Sequence, residues 1–238
     1  MVRHSHKIMS AGETKVALAL TVTIPSPMSP TTPMSPPASS PTEHPTSPDA
    51  VTSPIAKTKG TGTWLAGPMF AEKTTQLLRR IRINRERGTK CLALKFRGDT
   101  RYDVTNITSH NGDREEARGI SSLDEITDTD LRGVGFVALD EAQCFPHVAK
   151  FCQRVADLGI DVTIAGLDTD YKQRPFDTMC GVKDVCNMEL FTAKCVLCTG
   201  PAEYSRRICN ETALIVIGGA DKYVACCGAC FDKPLSSV

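Results

Sequence analysis

From Thr63 onward the chain alternates short apolar runs with stretches of helical periodicity, and this alternation limits the fold more than any other feature. Apolar runs of this length are typical of strands in a parallel sheet that is covered by helices on both faces. The helical stretches are Thr75–Arg87, which ends at Gly88, and a segment that begins at Val148 and ends at Gly159. The predicted strands are Trp64–Ala66, Cys91–Phe96, Phe136–Leu139 and Val162–Leu167. The sequence therefore predicts an α/β fold whose functional loops follow the carboxyl ends of the strands.

The first 58 residues have a different composition. Ten of the 15 prolines lie between Pro25 and Pro54, among serines and threonines and with few large apolar residues. Such a segment cannot bury enough surface to offset its ordering entropy, so residues 1–58 are predicted to be a disordered tail. Its Ser-Pro and Thr-Pro pairs suit proline-directed kinases, and a plain tether is an equally open interpretation.

Charge and cysteine content restrict the partners and the compartment. The 28 basic and 27 acidic residues nearly cancel, which argues against nucleic acid or an anionic membrane as a partner. The apolar run Val16–Ile24 is shorter than the ~18–20 residues that a membrane span needs, and no small-residue cleavage site follows it. The 11 cysteines, an odd number, favour reduced thiols in the cytoplasm over a disulfide framework.

Between the first predicted strand and the first helix lies a run that resembles the phosphate-binding pattern G-x-x-x-x-G-K-[ST]. Backbone N–H groups of such a loop and the helix N-terminus cradle a triphosphate. The terminal lysine would contact the β- and γ-phosphates, and the threonine hydroxyl would hold Mg²⁺. The run consists of Gly67, Pro68, Met69, Phe70, Ala71, Glu72, Lys73 and Thr74. This predicts an ATP site and a P-loop NTPase-type sheet.

Glu72 stands where the pattern requires glycine. A glutamate adds bulk and negative charge, and two like charges ~5 Å apart at an effective dielectric near 20 repel by roughly 3 kcal/mol. That would weaken nucleotide binding by about two orders of magnitude. A carboxylate at a helix N-terminus is also locally favourable, so Glu72 is alternatively expected to occupy the anion site itself.

Two carboxylates, Asp140 and Glu141, follow the apolar strand Phe136–Leu139. In P-loop proteins a carboxylate at this place lies next to Mg²⁺, and a second one beside it can accept a proton from an attacking hydroxyl. An ordinary acidic strand end is the alternative interpretation.

Two C-x-x-C pairs near the C-terminus predict a structural zinc site. The ligands are Cys195, Cys198, Cys227 and Cys230, with 28 residues between the pairs. A redox pair or buried free thiols are the alternatives, and Cys226 is interpreted as a spare thiol outside the spacing. The predicted domains are therefore a tail at 1–58, a P-loop domain at 59–190 and a small zinc-binding domain at 191–238.

Several motifs occur together in one order: GPMFAEKTT, KFRGDTRY, LDEAQCFP, GLDTDYKQRPF, IGGADKY and the cysteine pairs. In order and spacing the chain resembles the cytosolic and bacterial type (type II) of thymidine kinase from about Gly62 to Cys230. The resemblance implies ATP-dependent phosphorylation of thymidine, a homotetramer, structural Zn²⁺, and Mg²⁺ with ATP.

The resemblance also implies residue roles. Glu141 is expected to be the general base for the 5′-hydroxyl, with Lys73 and Arg101 on the transferring phosphoryl group. Asp99, Thr100 and Gln143 are expected near the nucleotide, and Mg²⁺ at Thr74 and Asp140. The expected thymidine-binding residues are Met69, Leu167, Tyr171, Phe176, Leu214, Ile215, Val216, Ile217, Gly218 and Tyr223, with 214–218 forming a lasso strand.

Three residues depart from the family pattern: Glu72, Ala71 and Cys144. Glu72 supports an alternative of a different class, an inactive or weak paralogue that binds nucleoside or acts as a regulatory subunit. Cys144, at a position where animal relatives have phenylalanine near the base, leaves open a shifted specificity such as deoxyuridine.

Overall fold

The computed structural model describes residues 58–99 and 105–235. The predicted tail lies almost entirely outside the described residues, and so do Thr100 and Arg101. The strands are β1 (Gly62–Ala66), β2 (Cys91–Phe96), β3 (Asn106–Thr108), β4 (Arg114–Glu116), β5 (Arg118–Ile120), β6 (Phe136–Leu139), β7 (Asp161–Ala165), β8 (Asn187–Leu190), β9 (Ala193–Lys194), β10 (Pro201–Ala202), β11 (Tyr204–Arg207) and β12 (Tyr223–Cys226). The helices are α1 (Lys73–Glu86), α2 (Val148–Asp157) and α3 (Val182–Val185).

Within the described residues, a six-stranded parallel sheet has the order β5-β2-β6-β7-β1-β8. Helix α1 connects β1 to β2, which lies three places away in the sheet, and α2 connects the neighbouring strands β6 and β7. Because the paired strands are parallel, the carboxyl ends of β1, β2, β6 and β7 lie along one edge. This confirms the predicted α/β class. Helix α1 begins at Lys73, two residues before the predicted start, and β7 ends at Ala165 rather than Leu167.

Large apolar side chains cover both faces of the sheet. Helix α1 packs one face with Leu77, Leu78 and Ile81, all fully buried, in the period expected for an amphipathic helix. The other face is packed by α2 and by Phe145, the largest fully buried side chain, together with Val148 and its helical neighbours. The ends of the strands are thereby held rigidly, which is what a site built on them requires.

The cysteine lobe, defined here as residues 191–235, is built from two-stranded antiparallel pairs. β9 pairs with β10, and β11 pairs with β12 in the register Tyr204 to Cys226 and Arg207 to Tyr223. Its buried cluster consists of small residues, namely Ala71, Ala193, Cys195, Ala202, Ala225, Cys226 and Cys230. No helix among residues 58–99 and 105–235 is long and apolar enough to cross a lipid bilayer.

Candidate active site

The phosphate loop (residues 67–74) connects β1 to α1 and has an unusual backbone. Gly67 has a φ of +132°, and a Cβ there would lie 2.2 Å from the carbonyl oxygen of Phe191, so only glycine fits. Phe70 and Glu72 have φ values of 66° and 58°, in the left-handed region that glycine normally occupies. The chain therefore adopts a strained loop with two side chains at positive φ.

Lys73 and Thr74 are the first residues of α1, and both line the cleft next to the phosphate loop. Lys73 is 9% exposed, and its ammonium group donates to the Pro68 carbonyl oxygen at 2.5 Å. The Thr74 hydroxyl donates to Asp140 Oδ1 at 3.2 Å. A hydroxyl and a buried carboxylate in contact are the oxygen ligands that Mg²⁺ accepts in phosphate-binding sites.

Glu72 is exposed and stands at the N-cap position of α1. Within the described structure its carboxylate makes no hydrogen bond that caps the helix. Its side chain lines the cleft, and occupation of the anion site by Glu72 stays a prediction.

Glu141 is oriented by Gln143. The Gln143 amide nitrogen donates to Glu141 Oε2 at 2.5 Å, and its Oε1 accepts from the Leu167 backbone N–H at 3.0 Å. The Thr178 hydroxyl donates to the Gln143 carbonyl oxygen at 2.9 Å. Gln143 is 4% exposed and holds the carboxylate between the ends of β6 and β7.

One cleft brings the predicted site residues together. Thr100 and Arg101 lie outside the described residues, and Gly67 and Pro68 are buried in the loop without lining the cleft. Cys144, which departs from the family pattern, is in the cleft wall. The predicted residues that do line it are Met69, Phe70, Ala71, Glu72, Lys73, Thr74, Asp99, Asp140, Glu141, Gln143, Leu167, Tyr171, Phe176, Leu214, Ile215, Val216, Ile217, Gly218 and Tyr223.

Residues 214–218 were predicted to form a strand, and this prediction is wrong. They are an irregular part of the connection between β11 and β12 and pair with no strand of the described structure. Side chains bond to backbone oxygens in this segment and just before it. Arg207 donates to the carbonyl oxygens of Glu211, Ala213 and Leu214 at 2.9, 2.6 and 3.0 Å.

The same arginine connects this loop to two aromatic rings of the cleft. Its guanidinium lies 3.7 Å from the centroid of the Tyr171 ring and donates to the Tyr223 hydroxyl at 2.8 Å. The Tyr223 hydroxyl in turn donates to the Val216 carbonyl oxygen at 3.0 Å. Arg207 therefore joins the loop, Tyr171 and Tyr223 into one wall.

Tyr171 is carried by a turn whose centre is the buried carboxylate of Asp170. That carboxylate accepts from the backbone N–H groups of Lys172 and Arg174 at 2.7 and 2.9 Å and from the Arg174 guanidinium. Burial alone would raise the pKa of Asp170, but these hydrogen bonds and the Arg174 charge outweigh it and lower the pKa below its ordinary value.

Sequence reasoning missed Lys95, Ser205, Arg207 and His110, which all line the cleft. Lys95 is 6% exposed and Ser205 is 2% exposed, and a buried charge or hydroxyl is the usual mark of a structural or functional role. The only local signal was Lys95 in an otherwise apolar strand. Ser205 bonds to Met69, which is 136 residues away, and Arg207 bonds mainly to backbone oxygens of an irregular connection, which no sequence pattern marks.

The four predicted zinc ligands come together. Their sulfur atoms all lie within 4.8 Å of one another, and Cys226, although adjacent, is not part of the group. Burial would raise the pKa of the Cys195 thiol, but N–H groups of Cys227, Cys198 and Leu197 point at its sulfur and lower the pKa to about 6. Four thiols at this spacing fit a tetrahedral metal ion such as Zn²⁺.

The parallel sheet, the loop between β1 and α1, and a strand-end carboxylate bonded to Thr74 define an α/β protein of the P-loop type. The model of the family "Thymidine kinase" matches residues 62–231. The chain belongs to the thymidine kinase family.

Relatives support this assignment over most of the chain. The chain is 35% identical over 182 residues to the cytosolic thymidine kinase of Homo sapiens, covering 76% of this chain and 77% of the relative. It is 34% identical over 166 residues to that of Gallus gallus, covering 69% and 74%. It is 33% identical over 168 residues to the thymidine kinase of Myxoma virus (strain Lausanne), covering 70% and 93%.

Proposed function

We propose that this kinase transfers the γ-phosphoryl group of ATP to the 5′-hydroxyl of thymidine, which gives thymidine monophosphate and ADP for DNA synthesis. The observation that carries the proposal is the placement of two carboxylates at the end of β6. Asp140 bonds to Thr74 of the phosphate loop, and Glu141 faces the other half of the cleft, held by Gln143.

Glu141 acts as the general base. Its carboxylate accepts the proton of the 5′-hydroxyl as the oxygen attacks the γ-phosphorus and the bond to the ADP oxygen breaks. Gln143 donates to one carboxylate oxygen of Glu141 and thereby fixes the orientation of the carboxylate. Because Gln143 is also bonded to Leu167, the base is fixed relative to the nucleoside pocket.

The phosphate end is formed by Lys73, Thr74 and Asp140. Lys73 neutralises charge on the β- and γ-phosphates, and backbone N–H groups of the loop donate to their oxygens. Thr74 and Asp140 would hold Mg²⁺, which lowers the charge of the triphosphate during transfer. Asp99, Thr100 and Arg101 belong to the same end in this proposal.

The nucleoside end is formed by the loop 214–218 and the aromatic residues around it. Backbone groups of 214–218 read the pyrimidine edge, and Tyr223 and Tyr171 close the pocket. Met69, Leu167 and Phe176 enclose the base. The small side chain of Cys144 in the cleft wall favours tolerance of altered bases such as uracil, which a nucleoside panel would measure.

Zn²⁺ in the four-cysteine group, a homotetramer and a cytoplasmic location complete the proposal. Zinc is supported by the sulfur geometry, and the other two rest on the likeness to cytosolic thymidine kinases. The predicted domain division at residues 190 and 191 remains a proposal as well.

An inactive, nucleoside-binding paralogue is the second candidate. The observation that favours it is Glu72, whose side chain lines the cleft from a strained position in the phosphate loop.

An assay of ATP-dependent thymidine phosphorylation by the metal-loaded protein decides between the two functions. Turnover that depends on Glu141 supports the kinase. Glu72→Gly should relieve both strain and repulsion and lower the dissociation constant for ATP by up to about 100-fold. Absence of turnover in the natural sequence, with activity restored by Glu72→Gly, would establish the paralogue instead. Glu86→Gly, at the other end of α1, controls for loss of a glutamate.

A further inference from the structure

The phosphate loop is supported from behind by the cysteine lobe, through three separate contacts. In the first, the Met69 backbone N–H donates to the Ser205 hydroxyl at 2.9 Å. Ser205 is 2% exposed and lies in β11, where it pairs with Ala225 of β12. Ala225 is followed in sequence by Cys226 and by the predicted ligand Cys227. A single hydrogen bond thus joins the loop to the strand pair that leads into the second cysteine pair.

The second contact is Ala71. This loop residue is 3% exposed and belongs to the buried cluster of the cysteine lobe, whose members include the predicted ligands Cys195 and Cys230. Its methyl group is therefore packed among residues whose position depends on the cysteine group.

The third contact is the close approach of Gly67 to the Phe191 carbonyl oxygen. The Phe191 N–H donates to the Ala66 carbonyl oxygen at 2.8 Å, so this segment continues the sheet edge before it enters the lobe. Strand β9 begins two residues later and leads directly into Cys195.

The loop needs such support. Phe70 and Glu72 adopt left-handed backbone conformations without being glycine, and residues in such conformations persist only when their surroundings hold them. Because position 72 is a glutamate and not a glycine, contacts with neighbouring residues must stabilise the left-handed backbone conformation there.

We infer that the cysteine lobe holds the phosphate loop in its triphosphate-binding shape, with Ser205 and Ala71 as positioning residues. Metal binding to the lobe and nucleotide binding to the loop then favour each other, since coupling between two sites is reciprocal. The nucleotide part of this inference rests on the proposed function, whereas the ordering of the loop by the lobe does not.

Amide hydrogen exchange of the full chain tests the ordering of the loop. The metal-loaded protein is compared with protein stripped by a chelator, and with metal-loaded Ser205→Ala. We expect a peptide covering 66–75 to exchange about fivefold faster in both, because the Met69 amide loses a hydrogen bond. A peptide covering α2 and metal-loaded Ser121→Ala, an exposed serine elsewhere, serve as controls.

Unchanged exchange at 66–75 in the Ser205→Ala protein would overturn the inference. If stripping the metal accelerates exchange throughout the chain, the metal-loaded Ser205→Ala protein alone decides. Faster exchange confined to 66–75 supports the positioning role.

Calorimetric titration with Mg·ATP tests the coupling. Ser205→Ala should raise the dissociation constant about two- to tenfold, and Ser205→Thr, which keeps the hydroxyl, should restore it. Mg·ATP should slow the release of zinc to a colorimetric chelator in the natural protein and less so in Ser205→Ala. Equal slowing in both would contradict the coupling. No heat with the natural protein would refute the proposed function and the coupling, while the exchange result would still decide whether the lobe orders the loop.

Discussion

Two groups of residues line the cleft. The sheet wall is formed by residues at the strand ends, such as Asp140 and Glu141, and the lobe wall by residues of the cysteine lobe, such as Arg207, 214–218 and Tyr223. The two walls are stabilised by different means. Residues behind the sheet wall are large and fully buried, such as Leu77, Ile81 and Phe145. The buried cluster of the lobe consists of alanines and cysteines. Burying a large aliphatic side chain contributes about 1.5–3 kcal/mol, and an alanine methyl contributes far less. The buried side chains are sufficient to explain the stability of the sheet wall, whereas we expect the lobe wall to depend on metal binding by its cysteines.

The walls also differ in chemistry. The sheet wall presents carboxylates at strand ends, and the lobe wall presents backbone groups that Arg207 holds in place. Substitutions in the sheet wall are therefore expected to change kcat, and those in the lobe wall to change KM for thymidine. Four predictions test how the two walls differ in stability and in chemistry, beginning with the largest effect.

Metal removal should separate the stability of the two walls. Structural zinc contributes about 10–16 kcal/mol of binding free energy to folding in small zinc domains. We therefore expect chelation, or Cys227→Ser, to abolish protection from amide exchange in residues 193–230 while β6 and β7 stay protected. Cys180→Ser, at an exposed cysteine outside the metal group, is the control. A lobe that stays protected without metal would show that its small core suffices.

Removing the proposed base, Glu141, should slow the chemical step strongly and leave thymidine binding intact. Glu141→Gln keeps the shape of the side chain but accepts no proton, so kcat should fall by about 10²–10⁴-fold. The thymidine dissociation constant, measured by calorimetry, should stay close to that of the natural protein. The exposed Glu203→Gln serves as control, and a kcat loss below tenfold would assign the base elsewhere.

Loss of Arg207 should affect recognition. Arg207→Ala removes bonds to three carbonyl oxygens and the Tyr223 hydroxyl, so KM for thymidine should rise about 10- to 100-fold with a small change in kcat. Arg206→Ala, which removes one bond to the Lys233 carbonyl oxygen, is the matched control. A fall in kcat at constant KM would contradict the division between the walls.

The smallest effect concerns Asp170, and it depends on pH. Because the folded-state pKa of Asp170 lies below its ordinary value of 3.8, the carboxylate stabilises the fold above pH 3.8. This stabilisation is lost as the pH falls through the folded-state pKa. Asp170→Asn should lower the free energy of unfolding by about 1.5–3 kcal/mol at pH 7.

Urea unfolding of the natural protein and of Asp170→Asn, from pH 7 down to the lowest pH at which the natural protein is still folded, measures this difference. It should shrink as the pH falls below 3.8 and through the folded-state pKa of Asp170, because the carboxyl group protonates first in the unfolded chain. The exposed Asp128→Asn is the control. A difference that persists at the acid end would mean that the shape of the side chain, and not its charge, supports the turn.

The central strands and helices were predictable because their periodicity is local. Phe136–Leu139 and Cys91–Phe96 have the predicted bounds, and the cysteine spacing predicted a group that the structure assembles. The loop 214–218 was expected to be a strand from the family resemblance, whereas its Leu214 and Val216 carbonyl oxygens accept from the side chains of Arg207 and Tyr223 and it pairs with no strand of the described residues. Ser205 could not be predicted because its partner Met69 is 136 residues away.

Gly67 has a consequence for any attempt to exchange parts between kinases of this type. A side chain at this position would displace the Phe191 carbonyl, so the loop cannot be altered there without moving the segment that enters the cysteine lobe. A chimera that receives only the eight loop residues would lack the contacts of the loop with Phe191 and Ser205. A functional exchange should therefore include Phe191 and strand β11 together with the loop. We also expect substitutions in these segments to be correlated among natural relatives.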